Sequence, residues 1–541
     1  MHVREQVVQL TVEVQKFNQE NQIFSPQQSK CCDFNLLPVD VGKRPENIGV
    51  NTTELGDKMS TAENLLTAGK HGLRTGGFSF ARNSAEHQIT YHNVTPEPEM
   101  SRFHFISEYM FMMMLRNFAT DGWRFSTYDK ENHPVHSRPG CIIASPSQPR
   151  HPETDQDYVH FWVRDGALTI MECAHKSLPD DEMLNDYVSF CKEAQDAAIR
   201  SGKNVGHACF KIDGSVRDWS EQADGPALRI LSILTIWDKL DAQRQQVGKD
   251  IIATDIEYLL QKYQEKTHNL WEEADGYSFF ARAVQLSAFR RVLGESRQLN
   301  IALDISATNI AISWLEQALK SHWVEADGYY HSVLDAADSR GAGLNIDIIM
   351  SCVYGGQPCF TERMLRSAAA IHQTFSGLYD INAYDRELEM GPLMGRYPQD
   401  YYDGDLSDAG DDVGHPWPLA TSNFAQFYYT CIEELKGLRS FTITDKMAPF
   451  MSQIGFHKQG QIKSNSEEYK DLVYRLLKAG DRMQRAVVYH SNHLELSEQF
   501  DRWTGFEKSV LNLTWSYSAF VSATRTRDRV APYVNALTGK K

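Results

Sequence analysis

Residues 269–282 read NLWEEADGYSFFAR, which places two adjacent carboxylates beside a large aromatic ring at the start of an apolar helical pattern. A carboxyl group held against apolar surface has a raised pKa and can remain a proton donor near neutral pH, while a solvated neighbour stays ionised. The combination is typical of sites that cleave sugar linkages. Acidic residues are also frequent in the first turn of a helix, because the helix dipole favours them. The stretch alone leaves both interpretations open.

A second copy of the pattern, WVEADGY at residues 323–329, echoes WEEADGY at residues 271–277. Each copy follows one helical pattern and leads into another, which predicts repeated hairpin units around a barrel. The copies share their later acidic residues and their glycine, but Glu272 is matched by Val324. We therefore interpret the shared residues as loop architecture and Glu272 as the residue that needs a chemical explanation.

Helical patterns with short connections dominate the chain from His104 onward. They continue over residues 182–201, 224–245, 251–264, 277–294, 299–321, 343–354, 360–378, 416–436, 466–490 and 510–526. An array of this length must bury apolar faces on both sides, either as a solenoid or as a closed double ring of helices. The sequence thus predicts an all-α domain over residues 104–541. Residues 1–103 are polar, with short alternating stretches, and we interpret them as an extension of strands and loops without an assigned function.

The composition is that of a globular protein with a sizeable core, since 42% of its 541 residues are hydrophobic. The net charge of -16 argues against nucleic acid or an anionic membrane as the main partner, because both are bound through basic surface. A neutral substrate fits better. The chain contains no run of 18 or more apolar residues, and its N-terminus lacks the apolar segment of a signal peptide. These features favour an intracellular location, with an extracellular one open if a signal was removed or is atypical.

Potential metal ligands are present but are not spaced as ligand sets. The nine cysteines are scattered, which predicts buried free thiols. Five aspartates between residues 403 and 412 offer hard oxygen donors, but their spacing fits no calcium loop, and a solvated loop is the favoured interpretation. We expect neither a metal nor an organic cofactor.

An Arg-Asp pair marks another candidate site. Tyr158 and Trp162 precede Arg164 and Asp165 at the start of a helical pattern. Adjacent Arg and Asp side chains can bind the vicinal hydroxyls of a sugar, one by donating and the other by accepting hydrogen bonds. An N-cap Asp beside a solvated Arg is the structural alternative.

Several separate motifs occur along the chain in one order: IASPS at 143–147, WVRD at 162–165, DGPALR at 224–229, LWEE at 270–273, GRYPQD at 395–400, PWPLA at 416–420, SEQFDR at 497–502 and LTWSY at 513–517. With these motifs, the chain from about Gly140 to Val530 resembles the catalytic domain of the glucoamylases, the inverting exo-acting α-glucosidases of glycoside hydrolase family 15. The resemblance implies an (α/α)6 barrel with the site at the open end of the inner helix ring.

The resemblance also implies roles for individual residues. Glu272 would be the general acid that protonates the glycosidic oxygen, and Glu498 the general base that activates water. Inversion needs these groups on opposite faces of the sugar, about 6.5–9.5 Å apart, which the neighbours Glu272 and Glu273 could not achieve. Arg164 and Asp165 would hold hydroxyls of the terminal glucose. The other residues expected to contact substrate are Tyr158, Trp162, Trp219, Trp271, Glu273, Arg396, Trp417 and Trp515.

Three departures from the family pattern stand out. Asn269 occupies a position where the family often has Asp, and residues 219–223 are one residue shorter than the family stretch and lack its Arg. The sequence also stops at Lys541, near the expected end of the barrel. We therefore expect no C-terminal starch-binding domain.

The expected activity is release of β-D-glucose from the non-reducing ends of α-1,4-glucans such as starch, glycogen and maltooligosaccharides. A relative with α-1,6 or trehalose specificity, or a degenerate sugar-binding protein on the same scaffold, remains an alternative. No nucleic acid or membrane partner is expected.

Overall fold

The structure is a computed structural model that describes residues 102–128, 132–147, 156–176, 181–337, 340–404 and 413–539. The predicted extension over residues 1–103 lies outside the described residues up to position 101, as does the acidic loop from 405 to 412. At the start of the described chain, the first helix begins at Arg102.

Fourteen α-helices occur in the described residues. In chain order they are α1 (Arg102–Leu115), α2 (Val163–Cys173), α3 (Glu182–Arg200), α4 (Asp224–Ile236), α5 (Ala242–Lys262), α6 (Phe279–Leu299), α7 (Ile305–Ser321), α8 (Asp347–Val353), α9 (Glu362–Leu378), α10 (Ile381–Glu387), α11 (Pro418–Lys436), α12 (Ala448–Gln453), α13 (Glu467–His490) and α14 (Thr514–Thr538).

Six of the described helices form a closed inner ring: α2 packs on α4, α4 on α6, α6 on α8, α8 on α11, α11 on α14, and α14 on α2. Their sequences explain this position. The α4 sequence DGPALRILSILTI is buried at every residue except Thr235, and a helix that is apolar on all sides must be surrounded by other elements. Pro226 and Pro418 lie in first turns, where proline is tolerated.

The outer layer consists of α1, α3, α5, α7, α9 and α13, each of which precedes an inner helix in the chain. These helices are amphipathic. In α13, for example, Leu472, Leu476 and Leu477 are buried while charged side chains project outward. The alternation of outer and inner helices with a closed inner ring confirms the predicted all-α (α/α)6 barrel, and it excludes the solenoid.

Several helix boundaries were predicted incorrectly. The break placed between residues 294 and 299 lies instead at 300–304. The break placed between residues 245 and 251 lies instead at 237–241, where a 3-10 turn ends α4 and Asp241 caps α5 by accepting a 2.7 Å hydrogen bond from the Arg244 amide. The last helix extends to Thr538 rather than 526, with Pro532 inside it. The short helices α10 and α12 were not predicted, because a single turn or two gives too little periodicity.

Short antiparallel strands connect the helices. They are β1 (Ser126–Tyr128), β2 (Pro134–His136), β3 (Phe161–Trp162), β4 (Cys209–Phe210), β5 (Thr267–His268), β6 (Asp275–Ser278), β7 (Trp323–Val324), β8 (Tyr329–Tyr330), β9 (Val333–Leu334), β10 (Ser440–Ile443), β11 (Gly460–Lys463), β12 (Gln499–Phe500) and β13 (Glu507–Lys508). They pair as β1-β2, β3-β4, β5-β6-β9, β7-β8, β10-β11 and β12-β13.

The repeated sequence forms hairpins, but its two copies occupy different positions in them. Trp271 lies in the turn between β5 and β6, whereas Trp323 lies within β7. Gly276 pairs with Thr267 in β6, whereas Gly328 has a φ of 76° in the turn before β8. Both copies therefore lie in hairpins that connect an outer helix to an inner one, but their shared residues are not at equivalent positions.

The cysteines within the described residues are free and buried, as expected. No helix in the described part of the chain is long and apolar enough to cross a lipid bilayer.

Candidate active site

A cavity of about 450 Å³ lies where the chain enters the inner helices. Its walls come from the segments before or at the first turns of α2, α4, α6, α11 and α14. All twelve residues that the sequence predicted for the site line this cavity: Tyr158, Trp162, Arg164, Asp165, Trp219, Trp271, Glu272, Glu273, Arg396, Trp417, Glu498 and Trp515.

Glu498 is held at the base of the β12-β13 hairpin. Its amide donates to the carbonyl of Val510 at 2.9 Å, and its side chain is buried. Three hydroxyls donate to the carboxylate: Tyr158 to Oε1 at 2.9 Å, Tyr402 to Oε2 at 3.1 Å, and Ser509 to Oε2. Burial raises the pKa of Glu498, and these hydroxyl groups lower it in part. The carboxylate is therefore fixed in orientation without a bound cation.

Glu272 occupies the turn that leads from β5 to β6, with a left-handed φ of 65°. Arg164 donates from Nη2 to Oε1 at 3.2 Å, and the Trp219 indole N–H donates to Oε2 at 2.5 Å. Asn269 closes the turn by accepting hydrogen bonds on Oδ1 from the amides of Glu273 and Ala274. Because the helix starts only at Phe279, the adjacent glutamates do not belong to its first turn, and that alternative interpretation is wrong.

Arg164 and Asp165 are both buried at the start of α2, where Trp162 takes the N-cap position. The alternative of a capping Asp beside a solvated Arg is therefore wrong. Arg164 Nη1 donates to Gln222 at 3.0 Å and lies 3.9 Å from Asp224. Burial raises the pKa of Asp165 to about 6, and the Arg164 charge opposes the shift. Arg164 Nε and Asp165 Oδ1 form an ion pair with each other at 3.4 Å.

Arg396 forms a second buried cationic group. It donates to both Asp400 carboxylate oxygens, at 2.8 and 2.6 Å, and to Glu273 Oε1 at 2.7 Å. Tyr397 donates to the other Glu273 oxygen at 2.6 Å. Glu273 is thus bound on both oxygens, while Arg396 also faces the ring of Trp417 at 5.3 Å.

Aromatic rings form most of the remaining surface. Trp271 is stacked on Trp515 with centroids 6.1 Å apart, and it lies 5.6 Å from Trp417. Trp162 meets Trp219 edge to face at 5.5 Å. The Trp417 indole N–H is buried without a partner among the described residues. The rings provide the cavity with flat apolar faces.

Several contributing residues were not predicted. Tyr402 lines the cavity and lies two residues after the GRYPQD motif. Asp400 and Asp224 lie inside the GRYPQD and DGPALR motifs, but the sequence did not predict which arginine each of them contacts. Ser509 had no sequence signal, because only the β12-β13 pairing brings it back to Glu498.

No group of three or more His, Cys, Asp or Glu side chains in the described residues could hold a metal ion.

Comparison with known proteins gives consistent matches. A family described as glycosyl hydrolases family 15 matches residues 130–525. Glucoamylase-1 of Arthroderma benhamiae is 30% identical over 73% of this chain and 66% of its own length, so the chain spans about two thirds of that relative. The probable glucoamylase of Schizosaccharomyces pombe is 28% identical over 74% of this chain and 88% of its own.

A solved structure of a glucoamylase from Saccharomycopsis fibuligera has the same fold. It superimposes with a TM-score of 0.67 at 24% identity, over 80% of this chain and 95% of that chain.

Proposed function

The chain belongs to glycosyl hydrolases family 15, and from this premise we propose that it is a glucoamylase that hydrolyses α-1,4-glucans from their non-reducing ends with inversion. The observation that carries the proposal is the pair Glu272 and Glu498, which reach one cavity from segments 226 positions apart and are held by different partners. Relatives named as glucoamylases over most of the chain support the same activity.

We assign the general acid to Glu272. Its proton would pass to the glycosidic oxygen as the bond from that oxygen to the anomeric carbon breaks. The carboxylate left behind would be stabilised by the Arg164 guanidinium and the Trp219 indole N–H, which already lie at hydrogen-bond distance.

We assign the general base to Glu498. It would remove a proton from a water molecule whose oxygen attacks the anomeric carbon from the face opposite the leaving group, which gives β-glucose. A base must be ionised before it can accept a proton. The donors Tyr158, Tyr402 and Ser509 oppose the effect of burial on its pKa and fix the direction of its oxygens.

The polar residues of the cavity support sugar binding. Arg164 and Asp165, which form an ion pair at 3.4 Å, bring donors and an acceptor to a cavity whose walls are otherwise largely aromatic. Sugar hydroxyls both donate and accept hydrogen bonds, so they can bind to both kinds of group. The terminal glucose of a chain is the ligand that we propose for this end of the cavity.

Proton NMR of maltotriose hydrolysis tests the function, because it reports linkage cleavage and anomeric configuration together. We expect β-glucose to appear first. No glucose from maltotriose, or α-glucose as the first product, would refute the proposal. Isomaltotriose and trehalose measured beside it would reveal an α-1,6 or trehalose preference.

Single substitutions test the assigned roles. Glu272→Gln and Glu498→Gln should each retain the fold and lose at least about 100-fold in kcat, because each removes a proton-transfer partner. Glu325→Gln is the matched control, since this exposed glutamate belongs to the second sequence copy and lies outside the cavity. Activity close to wild type in either site variant would mean that its role is misassigned.

A further inference from the structure

A second cavity, of about 540 Å³, lies in the outer wall of the barrel. Its lining comes mainly from α9, α10, α12 and α13, and none of its residues lines the catalytic cavity. Nothing in the proposed function uses this space.

Four cationic side chains line the cavity. Arg475, Lys478 and Arg482 follow one another on one face of α13, three and four residues apart, and Arg386 reaches the cavity from α10. Asp471 is the only carboxylate among the lining residues and is paired with Arg475 at 2.8 Å. This concentration of positive charge occurs in a chain of net charge -16.

The lining histidine does not change this balance. Burial, together with the charge of Arg386, lowers the pKa of His372 to about 4. His372 is therefore neutral at pH 7, and the cavity retains its excess of fixed cations.

The other lining residues can bind a polar ligand. Ser376 and Asn382 provide a hydroxyl and an amide, and the buried Oε1 of Gln453 has no hydrogen-bond partner among the described residues. The rings of Tyr428 and Tyr474 add two flat surfaces. Amides, hydroxyls and aromatic faces are the groups that contact sugar rings.

We propose that this outer cavity binds a small phosphorylated sugar. Guanidinium groups match phosphate oxygens in geometry, and a phosphate monoester carries close to two negative charges at neutral pH. The α13 cations from Arg475 to Arg482 span about 10 Å along the helix axis, which is longer than one phosphate. A phosphate group would therefore contact only some of these α13 cations. The other lining residues would then be free to contact the sugar ring.

Calorimetric titration of the full chain with fructose 6-phosphate tests the site, since a ketose does not match a pocket for terminal glucose. The double variant Lys478→Gln/Arg482→Gln should raise the Kd at least about tenfold, because it removes two of the four cations. Activity on maltotriose should be unchanged. Glu498→Gln should keep the phosphate affinity, which separates this proposal from the proposed function.

The matched control is Lys446→Gln/Lys470→Gln, which removes the same charge from positions outside the cavity. We expect it to bind fructose 6-phosphate as the wild type does. An unchanged Kd in the α13 double variant would overturn the proposal. Binding of fructose or of inorganic phosphate as tightly as fructose 6-phosphate would overturn the assignment to a phosphorylated sugar.

Discussion

Replacing Ser509 with alanine should shift the acid side of the pH-activity profile upward. Ser509 donates a hydrogen bond to Glu498 Oε2, and it is the largest of the hydrogen-bond effects that lower the pKa of this carboxyl. A hydrogen bond to a charged group contributes about 1.5–3 kcal/mol, and one pKa unit corresponds to about 1.4 kcal/mol. Removal of the donor should therefore raise the pKa of Glu498 further. Tyr158 and Tyr402 still donate to the carboxylate and limit this rise.

The assay is kcat/KM for maltotriose between pH 3 and pH 8. A base with a raised pKa is protonated at higher pH, so the acid limb should move to higher pH while activity above the limb is retained. Ser509 has a φ of 64°, and alanine keeps the same Cβ, so the backbone strain does not change. Ser497→Ala is the control, because that hydroxyl donates to the carbonyl of Gln499 instead. An unmoved acid limb in Ser509→Ala would refute the reasoning.

Two other changes test separate parts of the molecule. Trp219→Phe keeps an aromatic wall but removes the donor to Glu272, and kcat should fall about tenfold with a smaller change in KM; an unchanged kcat would contradict the acid assignment. Burial raises the pKa of Asp347 to about 7, so its stabilising contribution is complete below about pH 4 and is lost as the pH rises through 7. Asp347→Asn should therefore lose less unfolding free energy than wild type between pH 4 and pH 8 in urea titrations, and equal losses would argue against a raised pKa.

The barrel was predictable because its inner helices have an unusual composition. The α4 sequence DGPALRILSILTI has so few polar residues that a helix of this sequence must be surrounded by other elements. Its pattern therefore predicts both that the segment is helical and that the helix lies in the inner layer. Boundaries depend on more local effects. The end of α4 is set by a 3-10 turn and the start of α5 by the Asp241 cap, whereas the helix predicted from the sequence ran on to residue 245.

Within the site, residues in motifs were predictable and their supporting partners were not. Glu498 and Arg396 could be assigned from the resemblance, because each lies in a distinct motif. Ser509 reaches Glu498 only through the β12-β13 hairpin, and Asn345, which accepts from the Trp271 indole at 3.0 Å, lies 74 positions away. Such contacts depend on tertiary packing, which periodicity and spacing do not encode.

Asn269 illustrates how a departure from the family pattern can preserve geometry. Its Oδ1 accepts from the amides of Glu273 and Ala274 at 3.0 and 3.2 Å, and its carbonyl accepts from the Glu272 amide at 3.0 Å. An amide oxygen accepts these bonds as a carboxylate oxygen would, so the turn needs no charge at this position. Asn269 is buried, and a carboxylate at this position would have to be desolvated. The asparagine therefore retains the turn that positions Glu272 without burying a charge inside it.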